Sequence, residues 1–306
     1  MGGFLLRRLA GSVATILLAS LVIFILIRLV GDPTHLMLPP EATDDDRALL
    51  RQELGLDRPM VVQYATFLFD LLRGDMGESF SYRQPALPLV ISMLPPSLML
   101  AGAAMLMAVA LGVPWGLLAA YRPDGWADRT GRVFAVLGQS GPPFFVGLLL
   151  IRLLSVNWRL LPTGGYGDVT HLVMPAFALS WYPAAGLLRL TRASVGEALR
   201  SDYMLTARIK GVSDRAVLLR HALRNAALPI ITFTSSQFGI LLGSAVSIEA
   251  VFAWPGFGKL IVDAISQLDY TVVQAGVVVA AVLFIAINLC TDILCAALDP
   301  RIRLGS

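Results

Sequence analysis

Cysteine, histidine and lysine are scarce in this chain of 306 residues, which contains two, three and two of them, respectively. Cys290 and Cys295 lie five residues apart in one apolar run, so on a helix they face different directions and cannot form a good disulfide. His35, His171 and His221 are far apart in the sequence. Without a paired spacing, these residues do not indicate a bare metal path, and we expect no metal site.

Charge is also sparse, because only 15% of the residues are charged while 56% are hydrophobic. The mean hydropathy of +0.72 predicts an all-α integral membrane protein. Six runs reach the roughly 20 apolar residues that a bilayer requires. The first is too long for a signal peptide and lacks a small-x-small cleavage site, so it is interpreted as a retained helix. The runs are 9–30, 95–121, 132–155, 172–190, 228–249 and 273–297.

A phosphate-binding loop of the form G-x-x-x-x-G-K-[ST] is absent from the sequence. The stretch PGFGKL (255–260) has neither the spacing nor the Ser/Thr, and it follows no strand. The chain therefore carries no sign of its own nucleotide site, and we expect it to be no enzyme and to hold no cofactor.

Arginine placement predicts the orientation, because cytosolic loops of membrane proteins carry an excess of Lys and Arg. With a cytosolic N-terminus, the segments between runs two and three and between runs four and five are both inside and both basic. The short outside loops hold only Arg159 and Lys259. Both termini are thus predicted to be cytosolic. The net charge of +3 is explained by topology and gives no reason to expect a nucleic-acid partner.

The basic segment 201–228 between runs four and five has a sequence that predicts a short helix, a break at a glycine and a second helix. Good helix formers precede Gly211, which tolerates a left-handed conformation after a helix end. Ser213 is a candidate N-cap for a helix running to Ala227, and Pro229 is expected to open the next span. Such an element predicts a contact with a cytosolic partner.

The segment 31–94 between the first two runs is predicted to be external and helical. Thr43 is expected to cap a helix that begins with three aspartates and ends at Gly55. Pro59 suits the N1 position of a second helix that Gly74 ends. In this second helix Val62, Ala65, Leu68, Phe69 and Leu72 form an apolar stripe. The stripe predicts either a helix in the membrane interface or packing on the outer ends of the spans, and the segment offers a soluble partner a place to dock.

Ten stretches in order give the chain a resemblance to a family: the permease subunits of ABC importers of the dipeptide/oligopeptide/nickel class. They include GDMGES (74–79), LPTGGYGD (161–168), DYMLTARIKGV (202–212), EAVFAWPGFGKL (249–260) and ALDPRIR (297–303). Ala207 and Gly211 match the Ala and Gly of the family's coupling loop. Leu205 stands where sugar importers have Glu, which is typical of peptide-class members.

The resemblance implies a type I ABC importer permease fold with six transmembrane helices in a bacterial inner membrane. The expected domains are 1–30, 31–94, a five-helix core over 95–300 and a cytosolic tail over 301–306. A related second permease, two cytosolic ATP-binding subunits carrying ATP and Mg, and an extracytoplasmic solute-binding protein are the implied partners. The implied contacts with the ATPase are Tyr203, Ala207, Arg208, Lys210 and Gly211.

Polar residues inside the spans are candidates for the lining of the translocation path, and hydrogen bonding between helices is the equal alternative. They are Gln139, Ser140, Ser180, Trp181, Gln237 and Asn288. Pro183 is expected to open room beside Trp181, and Gly141 to kink the third run. Trp158 and Trp254 are expected to anchor the membrane interface.

Two other functions were weighed. GQSG (138–141) has the form used by intramembrane serine proteases, but no histidine is placed to act as base for Ser140. A secondary transporter is expected to show inverted repeats or charges at mid-depth, and Arg28, Arg152, Glu249 and Asp292 lie towards the ends of their runs. The resemblance implies import of peptides or similar small solutes, with import of a nickel or other metal chelate or of glutathione as the alternative and a serine protease using Ser140 as a distant one.

Overall fold

The computed structural model describes residues 2–30, 43–53, 55–202, 204 and 209–298. This described part is helical and contains no β-strand, only an isolated bridge between Glu78 and Pro85. The predicted all-α class is confirmed. The helices are α1 (Gly2–Val30), α2 (Asp44–Glu53), α3 (Met60–Arg73), α4 (Ala86–Ser92), α5 (Leu94–Tyr121), α6 (Trp126–Ser140), α7 (Pro143–Leu150), α8 (Val169–Leu199), α9 (Asp214–Ala216), α10 (Leu223–Val251), α11 (Phe257–Ser266) and α12 (Tyr270–Leu298).

Two units divide the chain: Met1–Pro95 with Lys259–Ala286, and Pro96–Gly258 with Ile287–Ser306. In the first unit the predicted helix caps are largely confirmed. The Asp46 N–H donates to Thr43 Oγ1 (3.3 Å), and the Thr43 N–H donates back to Asp46 Oδ2 (2.9 Å). The Thr43 hydroxyl and N–H hold the pKa of Asp46 below its usual value. Gly74 ends α3 with φ +76°, whereas Pro59 is the N-cap of α3 and not its first residue.

Helix α3 packs on α1 through the side opposite to its apolar stripe. The Tyr64 hydroxyl donates to the Leu17 carbonyl (3.1 Å), and the Tyr64 ring lies edge-on to Phe24 with centroids 5.2 Å apart. Arg28 Nε donates to Gln63 Oε1 (2.9 Å). The stripe residue Leu72 is 86% exposed. The stripe thus does not pack on α1, and a position in the membrane interface stays a prediction.

The stretch GDMGES (74–79) is joined to the start of α12 inside the first unit. Asp269 is fully buried, and its Oδ2 accepts hydrogen bonds from the Ser79 hydroxyl (2.6 Å) and the Ser81 N–H (3.1 Å). Asp269 Oδ1 accepts from the Val272 N–H (3.3 Å) at the start of α12. A buried carboxylate that accepts this many bonds is well satisfied, so Asp269 fixes the loop after Gly77 to α12.

The second unit is built around α8, which meets three other helices at positions without room for a side chain. A Cβ on Gly112 of α5 would lie 2.6 Å from the Ala184 carbonyl oxygen, and one on Gly186 would lie 2.6 Å from Phe233 of α10. A Cβ on Gly138 of α6 would overlap Ala185. Close approach at small residues is typical of helix pairs in membranes, and it makes α8 the centre of the core.

The third predicted run is broken at Gly141, as expected, and α6 and α7 meet at an angle of 107°. Its contacts with α8 nevertheless advance steadily along α8. Four pairs in order show this: Asp128 with Arg192, Gly138 with Ala185, Gly147 with Ala178 and Ser155 with Met174. From Arg192 to Met174 is about 27 Å of helix at 1.5 Å per residue. The two helices and the π-helical turn Ile151–Asn157 therefore form one broken span antiparallel to α8, not a hairpin that turns back.

By length and composition, four described stretches can cross a membrane: Ala10–Leu29, Ala86–Tyr121, Val217–Val251 and Tyr270–Ile293. The α6–α7 pair makes a fifth. The remaining predicted run, 172–190, lies in α8, which is 31 residues long. These helices match the six predicted runs in order.

Two local predictions in the second unit are wrong. Helix α9 continues through a π-helical turn (Val217–Ala222) into α10 without a stop at Ala227, and Pro229 lies inside α10. Membrane helices tolerate such prolines because their surroundings satisfy the freed backbone groups. Trp254 is buried, with its indole N–H donated to the Pro96 carbonyl (3.1 Å), so it is no interfacial anchor. Trp158, by contrast, is exposed.

Candidate functional site

The segment after α8 combines a buried anchor with an exposed edge. Met204 is fully buried in the core of the second unit, and its N–H donates to the Ser201 carbonyl (3.0 Å). Ile209 is 78% exposed, and Lys210 and Gly211 are also exposed. The segment is therefore anchored in the core at Met204 and accessible from outside at residues 209–211.

Gly211 has the left-handed backbone that its sequence context predicts, with φ +78°. A Cβ added there would meet nothing within 4 Å. Ser213 follows in the N-cap position of α9 with φ −60° and ψ 145°, although its side chain makes no capping bond. Asp214 Oδ2 accepts a hydrogen bond from the Tyr121 hydroxyl (3.3 Å), which joins this segment to the end of α5.

Of the five residues predicted to contact an ATPase, Lys210 and Gly211 thus share an exposed edge. Tyr203, Ala207 and Arg208 lie outside the described residues.

An ion pair with a buried carboxylate joins α6 to α8 through Asp128 and Arg192. The Asp128 side chain is fully buried, and it accepts hydrogen bonds from Arg192 Nη2 (3.0 Å), from Arg192 Nε and from the Asp124 N–H (3.0 Å). Arg132 Nη2 lies 3.6 Å from the same carboxylate. A bidentate arginine–carboxylate pair has a fixed geometry, so it sets the position of α6 on α8. The sequence gives no signal for this pair, because Asp128 and Arg192 are 64 residues apart and both lie just outside the predicted apolar runs.

Gln139 and Ser140 are exposed at the end of α6, directly before the break at Gly141. Arg189 of α8 is also exposed, and its Nη1 donates to Gln139 Oε1 (3.0 Å). Arg189 lies one residue before the end of the predicted fourth run, 172–190, and an arginine inside a span is itself a signal of function. The structure therefore brings two predicted path residues together with a cation.

The other four candidates for the path have different surroundings. Ser180 is buried and its hydroxyl donates to the Phe177 carbonyl (2.8 Å), and Gln237 is also buried. Trp181 is half-buried, with its ring edge-on to Phe134 at 4.8 Å between centroids. Asn288 of α12 is half-buried. Their role in a path stays a prediction.

Glu249 is the second buried acid of this unit after Asp128, and the sequence did not indicate its role. It is fully buried near the end of α10, and the Ser97 hydroxyl donates to its Oε1 (2.5 Å). The Phe257 N–H donates to the same hydroxyl (2.8 Å), and Gly256 lies so close that any Cβ would overlap the carboxylate. Glu249 thus holds the turn after α10 against the start of α5, which explains two glycines in the stretch EAVFAWPGFGKL.

The loop 161–168 packs on the same turn. The Gly165 N–H donates to the Phe252 carbonyl (2.7 Å), and the Tyr166 ring lies edge-on to Trp254 at 5.0 Å. At the end of this loop the Thr170 hydroxyl, followed by His171, lowers the pKa of Asp168 to about 2. Among the described residues, neither His171 nor His221 hydrogen-bonds Ser140, so the nucleophile–base pair that a serine protease needs is not formed.

Two family descriptions match nearly the whole chain. Residues 112–304 match "Binding-protein-dependent transport system inner membrane component", and residues 1–101 match "Binding-prot-dependent transport system membrane comp, N-term". The glutathione transport system permease protein GsiC of Salmonella typhimurium is 41% identical over 304 residues, and that of Escherichia coli K12 is 40% identical. Both alignments cover 99% of this chain and 99% of the relative.

Solved structures support the fold alone, because their identity to this chain is low. A structure of an amino acid ABC transporter with histidines has a TM-score of 0.54 at 17% identity and covers 70% of this chain and 94% of its own. The MetNI methionine ABC transporter in its inward facing conformation has a TM-score of 0.54 at 16% identity, covering 69% and 96%, respectively.

Proposed function

This chain belongs to the family of binding-protein-dependent transport system inner membrane components, and we propose that it encloses half of a path for peptide-like solutes, a second permease subunit enclosing the other half. As a member of this family, it is a multi-pass inner-membrane permease of an ATP-driven importer, and ATP hydrolysis takes place on separate ATPase subunits. ATP and Mg are proposed to bind on those subunits, with no cofactor in this chain. An extracytoplasmic binding protein delivers the solute.

The exposed edge at Ile209, Lys210 and Gly211 is the observation that supports the coupling proposal. Met204 is buried in the core while this edge is exposed, which suits an element that joins the helix bundle to a partner. The predicted loop 201–228 is proposed to be a coupling segment that docks on an ATPase, with Tyr203, Ala207, Arg208, Lys210 and Gly211 as its contacts.

The arginine distribution supports the orientation. The coupling segment and the turn between α5 and α6 are basic and are joined by the Tyr121–Asp214 hydrogen bond, so they lie at the same end of the second unit. We place this end and both termini in the cytosol. The loop 161–168 and the turn after α10 then face the binding protein.

The solute proposed first is a peptide, and glutathione, a peptide itself, is the substrate named for relatives at 40–41% identity. A nickel or other metal chelate is the alternative. Gln139 and Ser140 support the path because they are exposed polar groups at the middle of a broken span. Ser180, Trp181, Gln237 and Asn288 complete the proposed path.

Reconstitution tests this function. The chain is assembled in liposomes with its partner permease, its ATPase subunits and its binding protein, and uptake of glutathione, a dipeptide and a nickel chelate is measured with and without ATP. We expect ATP-dependent uptake of a peptide or of glutathione by the full assembly and no ATP hydrolysis by the chain alone. ATP turnover by the isolated chain, or no uptake of any of the three solutes, would contradict the proposal.

A further inference from the structure

Arg189 lies on a side of the central helix α8 that is exposed in the described part of the chain. Ala184 faces α5, Ala185 faces α6 and Gly186 faces α10. At 100° per residue, Arg189 points between the directions of Ala185 and Gly186, and Tyr182 two turns earlier points the same way. Both residues are exposed, Tyr182 by 42%. Tyr182 and Arg189 therefore share an exposed face of α8 that points between α6 and α10.

The depth of this exposed face follows from the contacts of the broken span. Gln139, which accepts the hydrogen bond from Arg189 (3.0 Å), adjoins Gly138 and so lies level with Ala185. This level is about 10 Å from that of Arg192 along α8, within the roughly 27 Å that the broken span follows. Arg189 itself is only three residues, about 5 Å, from Arg192 along α8. The guanidinium therefore lies between the levels of Arg192 and Ala185, inside the span but towards the end at which Arg192 and Asp128 meet.

A charged side chain at such a depth normally faces a water-filled cavity or a partner, because exposure to lipid is costly. Among the described residues no carboxylate lies within ion-pair distance of Arg189. Gln139 uses only one of the five N–H donors of the guanidinium. The others are aimed at nothing described in the chain and suit a carboxylate, which arginine binds in a two-pronged geometry.

We propose that Arg189, oriented by Gln139, binds a carboxylate of the solute on its way through the path. The inference rests on the proposed function and adds the chemical class of the solute: a peptide with a free, ionised carboxylate. Tyr182 adds a hydroxyl about 11 Å further along the same face, two helical turns away, which suits a second polar group of an extended solute.

The test compares a peptide with its C-terminal amide in the reconstituted full assembly, each at a concentration that saturates the binding protein. Three variants are compared with the wild-type chain: Arg189→Gln, Arg189→Lys and, as a matched control, Arg152→Gln in the exposed π-helical turn of the broken span. Assembly of the complex and ATP hydrolysis stimulated by the loaded binding protein are measured in parallel.

We expect Arg189→Gln to slow uptake of the free acid about tenfold or more, the size expected for losing hydrogen bonds to a charged group. In the same variant, uptake of the amide and the stimulated ATP hydrolysis are expected to stay near wild type. Arg189→Lys is expected to restore part of the uptake rate of the acid. Arg152→Gln is expected to change the uptake rate of neither the acid nor the amide. An unchanged rate for the acid, an equal loss for acid and amide, or failure of Arg189→Gln to assemble overturns the inference while leaving the importer function standing. A wild-type assembly that imports neither solute overturns both.

Discussion

Replacing Gly211 with aspartate tests the coupling segment, because the structure separates its effect on folding from its effect on function. Gly211 has φ +78° and is exposed, and an added Cβ would meet nothing within 4 Å. The direct cost is therefore the strain of a left-handed backbone, about 1 kcal/mol for a residue with a Cβ. Against a typical stability of 5–15 kcal/mol, this change leaves the protein folded and inserted.

Function is expected to respond far more strongly than stability. An aspartate at this position puts a negative charge next to Lys210 on the edge that we propose to dock on the ATPase. Gly211→Asn is the matched control, because asparagine has nearly the same shape, tolerates the left-handed conformation and carries no charge. Gly165→Asp is the second control, since Gly165 also has a positive φ (+95°) but lies in the loop proposed to be external.

The assay measures the membrane level of each variant, solute uptake, and ATP hydrolysis with and without loaded binding protein. We expect Gly211→Asp to reach normal membrane levels, to import no solute and to lose the stimulation of ATP hydrolysis. Gly211→Asn is expected to retain more activity than Gly211→Asp, and Gly165→Asp to retain the stimulation. Wild-type uptake by Gly211→Asp would show that residues 202–212 are an ordinary loop and would refute the coupling role.

Three further predictions concern orientation and packing. In a chain without its native cysteines, a cysteine replacing Val212 is expected to resist a membrane-impermeant thiol reagent in intact cells, while one replacing Asp45 reacts; the reverse pattern would contradict the orientation. Arg192→Met removes the main partner of the buried Asp128 carboxylate and is expected to lower the free energy of unfolding by about 2 kcal/mol, a value reduced because the arginine is partly exposed. Arg132→Met is expected to lower it by less than about 1 kcal/mol. Equal melting temperatures of the two variants in detergent would argue against the ion pair. Gly138→Leu overlaps Ala185 of α8 and is expected to lower stability by about 3 kcal/mol, and an unchanged melting temperature would show that α6 and α8 are not in close contact there.

Features that depend on a few neighbouring residues were predictable from the sequence. The Thr43 cap, the left-handed Gly74 and Gly211, and the break at Gly141 all appear where expected. Each depends on backbone conformation and hydrogen bonds within about four residues, so that no distant contact has to be known. Six long apolar runs were enough to predict the membrane setting and the order of the spans.

Predictions that required knowledge of a side chain's surroundings fared worse. Trp254 is a tryptophan near the end of an apolar run, which is typical of an interfacial anchor, but its indole is buried and donates a hydrogen bond to the Pro96 carbonyl. Pro229 has the local character of a helix start, but α10 passes through it. In both cases packing against residues far away in the sequence outweighs the local preference.

Composition and turn chemistry act locally, so the sequence was enough to predict that this chain crosses a membrane several times, where its helices break and which segment between spans is structured. Which polar residues meet depends on the tertiary structure. Arg189 and Gln139 are 50 residues apart in the sequence, and Arg192 and Asp128 are 64 apart. Whether such residues face each other, the lipid or a water-filled groove depends on the rotation and register of one helix against the next. That register is set by close contacts such as those of Gly112 and Gly138 with α8, which no single segment of the sequence contains.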